Sequence, residues 1–325
     1  MAETPVLQVE DLKTHLPSNR GPVRAVDGVS FTVDPGEIVG IVGESGCGKS
    51  TLCSSLVRLL PTGTMVSGSI RFRGEDLLAK SPAEMRALRG RDITMIQQNP
   101  MTALDPVFTV GSQIREVLKF NARLDARARQ ANAVEMLRQV HIPSPEERLS
   151  NYPHQMSGGM KQRVLAALAT ALKPGLLLAD EPTTALDVTI QEQILGLLAE
   201  IRDRQGTAII LVTHDLGVVR RLCDKVLIMY AGRVVETGPT RRIFGTPEHP
   251  YTRALLASIP HMGDTRRRLQ AIEGTIPDLR DLPPGCSFAP RCPHVHARCT
   301  EAYPPEFPVG GGHARCWLHA PERVQ

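Results

Sequence analysis

Apolar positions along the chain follow two rhythms. From Val23 to Leu60 a strand-like VSFTV, a turn at Pro35-Gly36 and a wholly apolar EIVGIV lead into a glycine-rich loop, after which KSTLCSSLVRLL takes up helical spacing. This is a strand, loop and helix unit. Between Ser112 and about Ile142 the period is helical, with Ala133, Leu137 and Val140 on one face, and a mainly helical insert is expected. From Ser157 to Tyr230 helical stretches alternate with LLLAD, AIILVT and KVLIMY, runs without polar alternation that suit strands buried on both faces of a largely parallel sheet. AGRVVETG then reads as a hairpin. Beyond it proline and glycine become dense and long periodic stretches stop, which sets a boundary near Pro239. The predicted core is α/β, followed by an extension. No internal repeat or low-complexity tract interrupts it.

Composition narrows the reading only slightly. With 325 residues there is room for one large domain and an appendage. No apolar run approaches the ~18 residues of a spanning helix, and MAETPVLQVEDLK has neither a basic start nor an apolar stretch of the kind that directs secretion. The cysteines are therefore expected to meet a reducing cytosol, where disulfides are disfavoured. A net charge of +4 is small for this length and is read as a mixed solvated surface. The densest basic run, Arg266, Arg267 and Arg268, lacks interleaved aromatics, and nucleic acid is not an expected partner.

The chemistry concentrates in short strings. GESGCGKST, from Gly43 through Glu44, Ser45, Gly46, Cys47, Gly48, Lys49 and Ser50 to Thr51, fits G-x-x-x-x-G-K-[ST] between a predicted strand and a predicted helix. Glycines let backbone N–H groups turn toward phosphates, Lys49 reaches the β- and γ-phosphates, and Ser50 can ligate Mg²⁺. LLLADE ends a buried strand in two carboxylates, a costly arrangement unless a cation stands nearby. Mg²⁺ on a triphosphate would supply that charge, with Asp180 on the metal and Glu181 as base for an attacking water. In QMSGGMKQR, Ser157 is a natural N-cap, and the N–H groups of Gly158 and Gly159 open an anion-ready helix start.

Together with MIQQNP, TALD and VTHD, in this order, these strings resemble the ATP-binding cassette (ABC) ATPases. YPHQMSGGMKQRV, LADEPTTALDVTIQ and PEHPYTRALLASIP narrow the resemblance to the oligopeptide, dipeptide and nickel importer branch, over nearly the whole chain. The resemblance implies a P-loop NTPase nucleotide-binding domain over 1–238, with a helical subdomain at about 99–173, and a small Cys-rich extension over 239–325. It implies that Gln98 touches Mg²⁺, that Ser157, Gly158 and Gly159 contact ATP held by the opposite subunit, that Asp187 lies at the dimer seam and that His214 holds the γ-phosphate. The partners implied are a second, related cassette, two permease subunits and, indirectly, an extracytoplasmic substrate-binding protein. The place implied is the cytoplasmic face of the cytoplasmic membrane. Met160 stands where the signature usually has Gln, and Leu16, beside His15, stands where related cassettes stack an aromatic on adenine. Nickel-chelate or glutathione import remains open beside peptide uptake. A soluble cassette ATPase acting on nucleic acid or ribosomes is disfavoured by the single phosphate loop.

Three cysteines, Cys47, Cys53 and Cys223, fall in the core and are read as small residues that fit there; Cys47 could still confer sensitivity to thiol reagents, because helix starts lower thiol pKa. The other four, Cys286, Cys292, Cys299 and Cys316, form C-x5-C-x6-C-x16-C in a Pro-rich segment too short to bury a core alone. A metal centre would cross-link it. The spacing admits Zn²⁺ or an iron–sulfur cluster, with His294, His296, His313 and His319 near enough in sequence to replace a thiolate. The resemblance favours a [4Fe–4S] cluster on the four cysteines.

Overall fold

A computed structural model describes residues 4–97, 103–120, 124–183, 187–258 and 272–321. Gln98, Arg266 to Arg268 and Thr184 to Leu186 lie outside these. The chain divides into two compact units, one built on Val33–Ile38 and Ala79–Val212, the other on Leu7–Thr32, Val39–Leu78 and the chain from Thr213 onward.

The second unit opens with strands β1 (Leu7–Leu16), β2 (Val23–Val33), β3 (Ile38–Val42), β4 (Met65–Phe72) and β5 (Glu75–Asp76). β2, β1, β4 and β5 lie side by side in that order, with β1 antiparallel to β4 and β4 to β5. The predicted helix after β3 runs from Lys49 to Leu56 only. It stops early because Arg58 turns left-handed, at φ 52°, ahead of Pro61. Leu52, Cys53 and Leu56 are fully buried beneath it.

The first unit holds β6 (Ile93–Ile96), β7 (Leu176–Asp180) and β8 (Ala208–Val212), paired in parallel in that order; the unbroken apolar runs predict β7 and β8, while β6 carries no such signal. Four of the five β7 residues, Leu176 to Ala179, are inaccessible to solvent. Helices Val110–Leu118 and Ala126–Gln139 lie where a helical insert is expected, with Ala133, Leu137 and Val140 buried, and a further helix runs Gly158–Thr170.

The second unit resumes with β9 (Lys225–Tyr230), parallel to β3, and β10 (Arg233–Pro239), which forms the predicted hairpin with β9. Past Pro239 the chain returns as two three-residue strands that carry no periodic signal, β11 (Phe307–Val309) and β12 (Gly312–Ala314), with β12 antiparallel to β10. The tail therefore differs from the expected coreless segment. Phe288, 1% exposed, packs edge-on against Tyr230 at 5.4 Å between ring centres and against Tyr251 at 5.4 Å. The extension shares the core of the unit it belongs to.

A bulge in β10 turns Glu236 inward, where it pairs with Arg242 at almost full burial. Glu236 also accepts the N–H groups of Glu248 and His249, both at 2.9 Å. Such a charge is tolerable only with this full set of partners. The result fixes the start of the helix Pro250–Ala257, where His249 Nδ1 caps the Tyr251 N–H at 3.0 Å. Burial holds the His249 pKa down at about 3, so the ring stays neutral and keeps the lone pair that the cap needs.

Candidate functional site: a phosphate loop and a paired carboxylate strand end

The glycine-rich string folds as a loop between β3 and the Lys49–Leu56 helix. A Cβ at Gly43 would stand 2.2 Å from Met229 O, and one at Gly48, where φ is 106°, would stand 1.9 Å from Ala25 O, so neither position admits a side chain. Gly46, at φ 80°, meets nothing within 4 Å, and Ser45, Gly46 and Ser50 are exposed. The helix begins after Gly48 without a side-chain cap. Lys49 is 6% exposed, with Nζ donating to the carbonyls of Gly43 at 2.8 Å and Glu44 at 3.0 Å. Its charge is thus held over the loop itself.

Cys47 is a small residue filling its place: the thiol is fully buried, and burial raises its pKa, against the lowering a helix start alone would bring. Desolvation of the thiolate outweighs the nearby Lys49. In the same unit His214 is exposed and directly precedes Asp215, which caps the helix Leu216–Leu222 through the Gly217 N–H at 2.8 Å. Leu16 ends β1 half-buried, and His15 Nε2 lies 3.8 Å from Asp27.

In the other unit, Asp180 closes β7 at 5% exposure and Glu181 follows on a left-handed backbone, φ 46°, with its N–H on Val212 O at 2.9 Å. A non-glycine residue held there costs energy that the surrounding structure must offset, a pattern concentrated at functional sites. Ser157 caps Gly158–Thr170 as predicted, its Oγ accepting the Met160 N–H at 3.3 Å. Asp187 caps Val188–Gln205 through the Ile190 N–H at 2.9 Å. These two helix starts touch, since a Cβ on Gly159 would come 2.6 Å from Ile190 Cγ2, and Gln162 donates to the Pro182 carbonyl beyond Glu181. Sequence reasoning found each residue but not this packing.

The four tail cysteines are free thiols. Burial raises Cys286 and Cys316 to about 11 each, and the neighbouring thiols add to the rise in both. The N–H of His294 points at Cys292 Sγ, 3.4 Å away, and backbone hydrogen bonds from Phe288 and Leu318 reach Cys286 and Cys316. Even so, among the described residues no three His, Cys, Asp or Glu side chains converge closely enough to hold one metal ion. Neither the [4Fe–4S] cluster expected on the four cysteines nor its zinc alternative, with or without the tail histidines, therefore finds support in this arrangement. Arg291, one residue before Cys292, reaches Glu44 of the phosphate loop at 3.0 Å, a contact the sequence did not announce.

Comparison with known proteins agrees with this geometry. The ABC transporter family matches residues 26–184, and the family described as "Oligopeptide/dipeptide transporter, C-terminal region" matches 235–299. A probable peptide ABC transporter ATP-binding protein of Sinorhizobium fredii is 51% identical over 96% of this chain and 94% of its own length. Dipeptide transport ATP-binding proteins of Bacillus subtilis and Escherichia coli are 48% and 46% identical, over 96% and 92% of this chain and 94% and 92% of their own lengths. Among solved structures, a dimeric ATP-binding cassette in a post-hydrolysis state with ADP and phosphate matches with a TM-score of 0.65 at 27% identity, over 72% of this chain and 99% of its own. With relatives this similar along almost its entire length, the chain belongs to the family of ABC transporter ATP-binding proteins.

Proposed function

We propose that this chain is the ATP-hydrolysing subunit of an ABC importer that takes up dipeptides or oligopeptides. It would act at the cytoplasmic face of the membrane with a second cassette and two permease subunits, served by an extracytoplasmic binding protein. The observation that carries the reading is a full set of ATPase residues on the same chain as a tail of the oligopeptide/dipeptide transporter type. Among the described residues no helix is long and apolar enough to cross a membrane, in keeping with a subunit that relies on permeases for the path. The division into a nucleotide-binding domain over 1–238 and an extension over 239–325 is part of the same reading.

In this mechanism Gly43 to Thr51 wrap the phosphates, with the uncapped helix start and Lys49 neutralising their charge. Mg²⁺ bound with the nucleotide would be held by Ser50, Gln98 and Asp180 and would supply positive charge to the triphosphate. The buried Asp180 carboxylate suits that role, because burial favours a cation beside it. Glu181 orients and deprotonates the attacking water, and His214 holds the γ-phosphate. Ser157, Gly158 and Gly159 complete the site of the opposing cassette, with Asp187 at the seam. Glu181→Gln tests the assignment: it should bind ATP normally while turnover in the assembled transporter falls at least ~10²-fold. Near-parental turnover would remove Glu181 from the role.

The tail cysteines are proposed to hold a [4Fe–4S] cluster. Thiols close enough to raise one another's pKa, each of three with a backbone hydrogen bond, are donors of the kind such clusters use. Iron and sulfide analysis of protein purified without oxygen should give both in near-equal amounts, with a broad visible absorption that Cys286→Ser removes. Stoichiometric zinc without iron would sink this part of the reading.

A further inference from the structure

The outer turn of the phosphate loop is gripped by groups that phosphate chemistry does not require. Glu44 is held at three points. Its N–H donates to Tyr251 Oη at 3.0 Å, its carbonyl accepts from Lys49 Nζ at 3.0 Å, and its carboxylate meets Arg291. Arg291 Nη1 donates to both carboxylate oxygens, at 3.0 and 3.2 Å, and to Tyr230 Oη at 3.2 Å. Nε donates to Glu273 O at 2.8 Å and Nη2 to Ile272 O at 3.0 Å. The Arg291 side chain is 4% exposed, and its guanidinium lies near the rings of Tyr230 and Phe288.

A fork with every nitrogen engaged is a fixed object, not a swinging surface charge. Fixing Glu44 fixes its carbonyl, and that carbonyl is one of two that aim the Lys49 ammonium. Without Arg291 the Glu44 side chain would lose its partner, the loop would gain freedom, and phosphate binding would have to restore the order. Arg291 also sits in the turn Ala289–Arg291, immediately before Cys292, so whatever shapes that turn bears on the loop.

We propose that Arg291 is a positioning residue for nucleotide binding: through Glu44 it presets the phosphate loop and Lys49, which makes the cysteine-bearing tail and the nucleotide site one energetic unit. The inference rests on Gly43 to Thr51 being the ATP site.

The test is titration of the full chain with a fluorescent ATP analogue, with Tm recorded for every variant. Arg291→Gln and Glu44→Gln should each weaken binding about tenfold, and the double variant should bind no worse than the weaker single, because the two side chains act as one pair. Arg291→Lys, which keeps the charge but loses the fork, should fall between. A lower Tm with unchanged affinity in both single variants would make the contact merely structural and overturn the proposal, as would losses that multiply in the double variant. Should Arg291→Gln fail to fold, Glu44→Gln decides alone, since its side chain is 28% exposed and Arg291 retains its other partners. Lys49→Ala separates the two levels: its loss of binding alongside parental affinity in Glu44→Gln sinks only the role of Arg291, whereas parental affinity in Lys49→Ala removes the ATP site itself.

Discussion

Gly48 and Ser157 both stand at the start of a helix whose first N–H groups face a phosphate in the proposed mechanism, yet the two starts are finished differently. The Lys49–Leu56 helix has no cap of its own and is braced from outside by Tyr251 and Arg291 acting on Glu44. The Gly158–Thr170 helix is closed by Ser157 Oγ on the Met160 N–H. A start without a side-chain cap has no group of its own side chains competing with an anion for its N–H donors. A self-capped start is stable without a ligand and has less to gain from one. On the proposed mechanism, primary nucleotide affinity would lie with the phosphate loop, and the Ser157 turn would sense a nucleotide that is already bound.

The largest effect that could break this contrast is at Lys49. Lys49→Ala should lower ATP affinity of the isolated chain by ~100-fold or more, measured by equilibrium titration, since the buried charge that the proposed mechanism sets against the phosphates is lost. A loss of only a few-fold would mean that the loop is not the primary site. Ser157→Ala sharpens the other half. Affinity of the isolated chain should stay parental, ATPase turnover of the assembled transporter should fall ~10-fold or more, and chemical denaturation should show a loss of about 1 kcal/mol from the missing cap. Equal weakening of ATP binding in the isolated chain would erase the distinction.

Much of this site could be read from the sequence because its signals are local. Gly43 to Thr51 lie between a strand and a helix, Asp180 and Glu181 end an apolar run, and Ser157 and Asp187 precede helices at capping distance. What escaped was set by contacts distant in sequence. Arg291 and Glu44 are 247 residues apart, and no pattern around either announces the other. For Cys47 the helix start is visible in the sequence, while the complete burial that raises its pKa is not. Strands β11 and β12 were missed because three residues are too few to show alternation; pairing with β10 forms them.

That pairing bears on how the molecule survives at high concentration. Without the tail, the side of β10 away from β9 would present bare amides and carbonyls, a template on which a strand from another chain could add. β12 covers that side, and the strand left outermost, β11, is short and carries Pro308 at its centre, which offers no N–H to a newcomer. The tail thus ends this edge of the sheet in a form that resists growth by another strand.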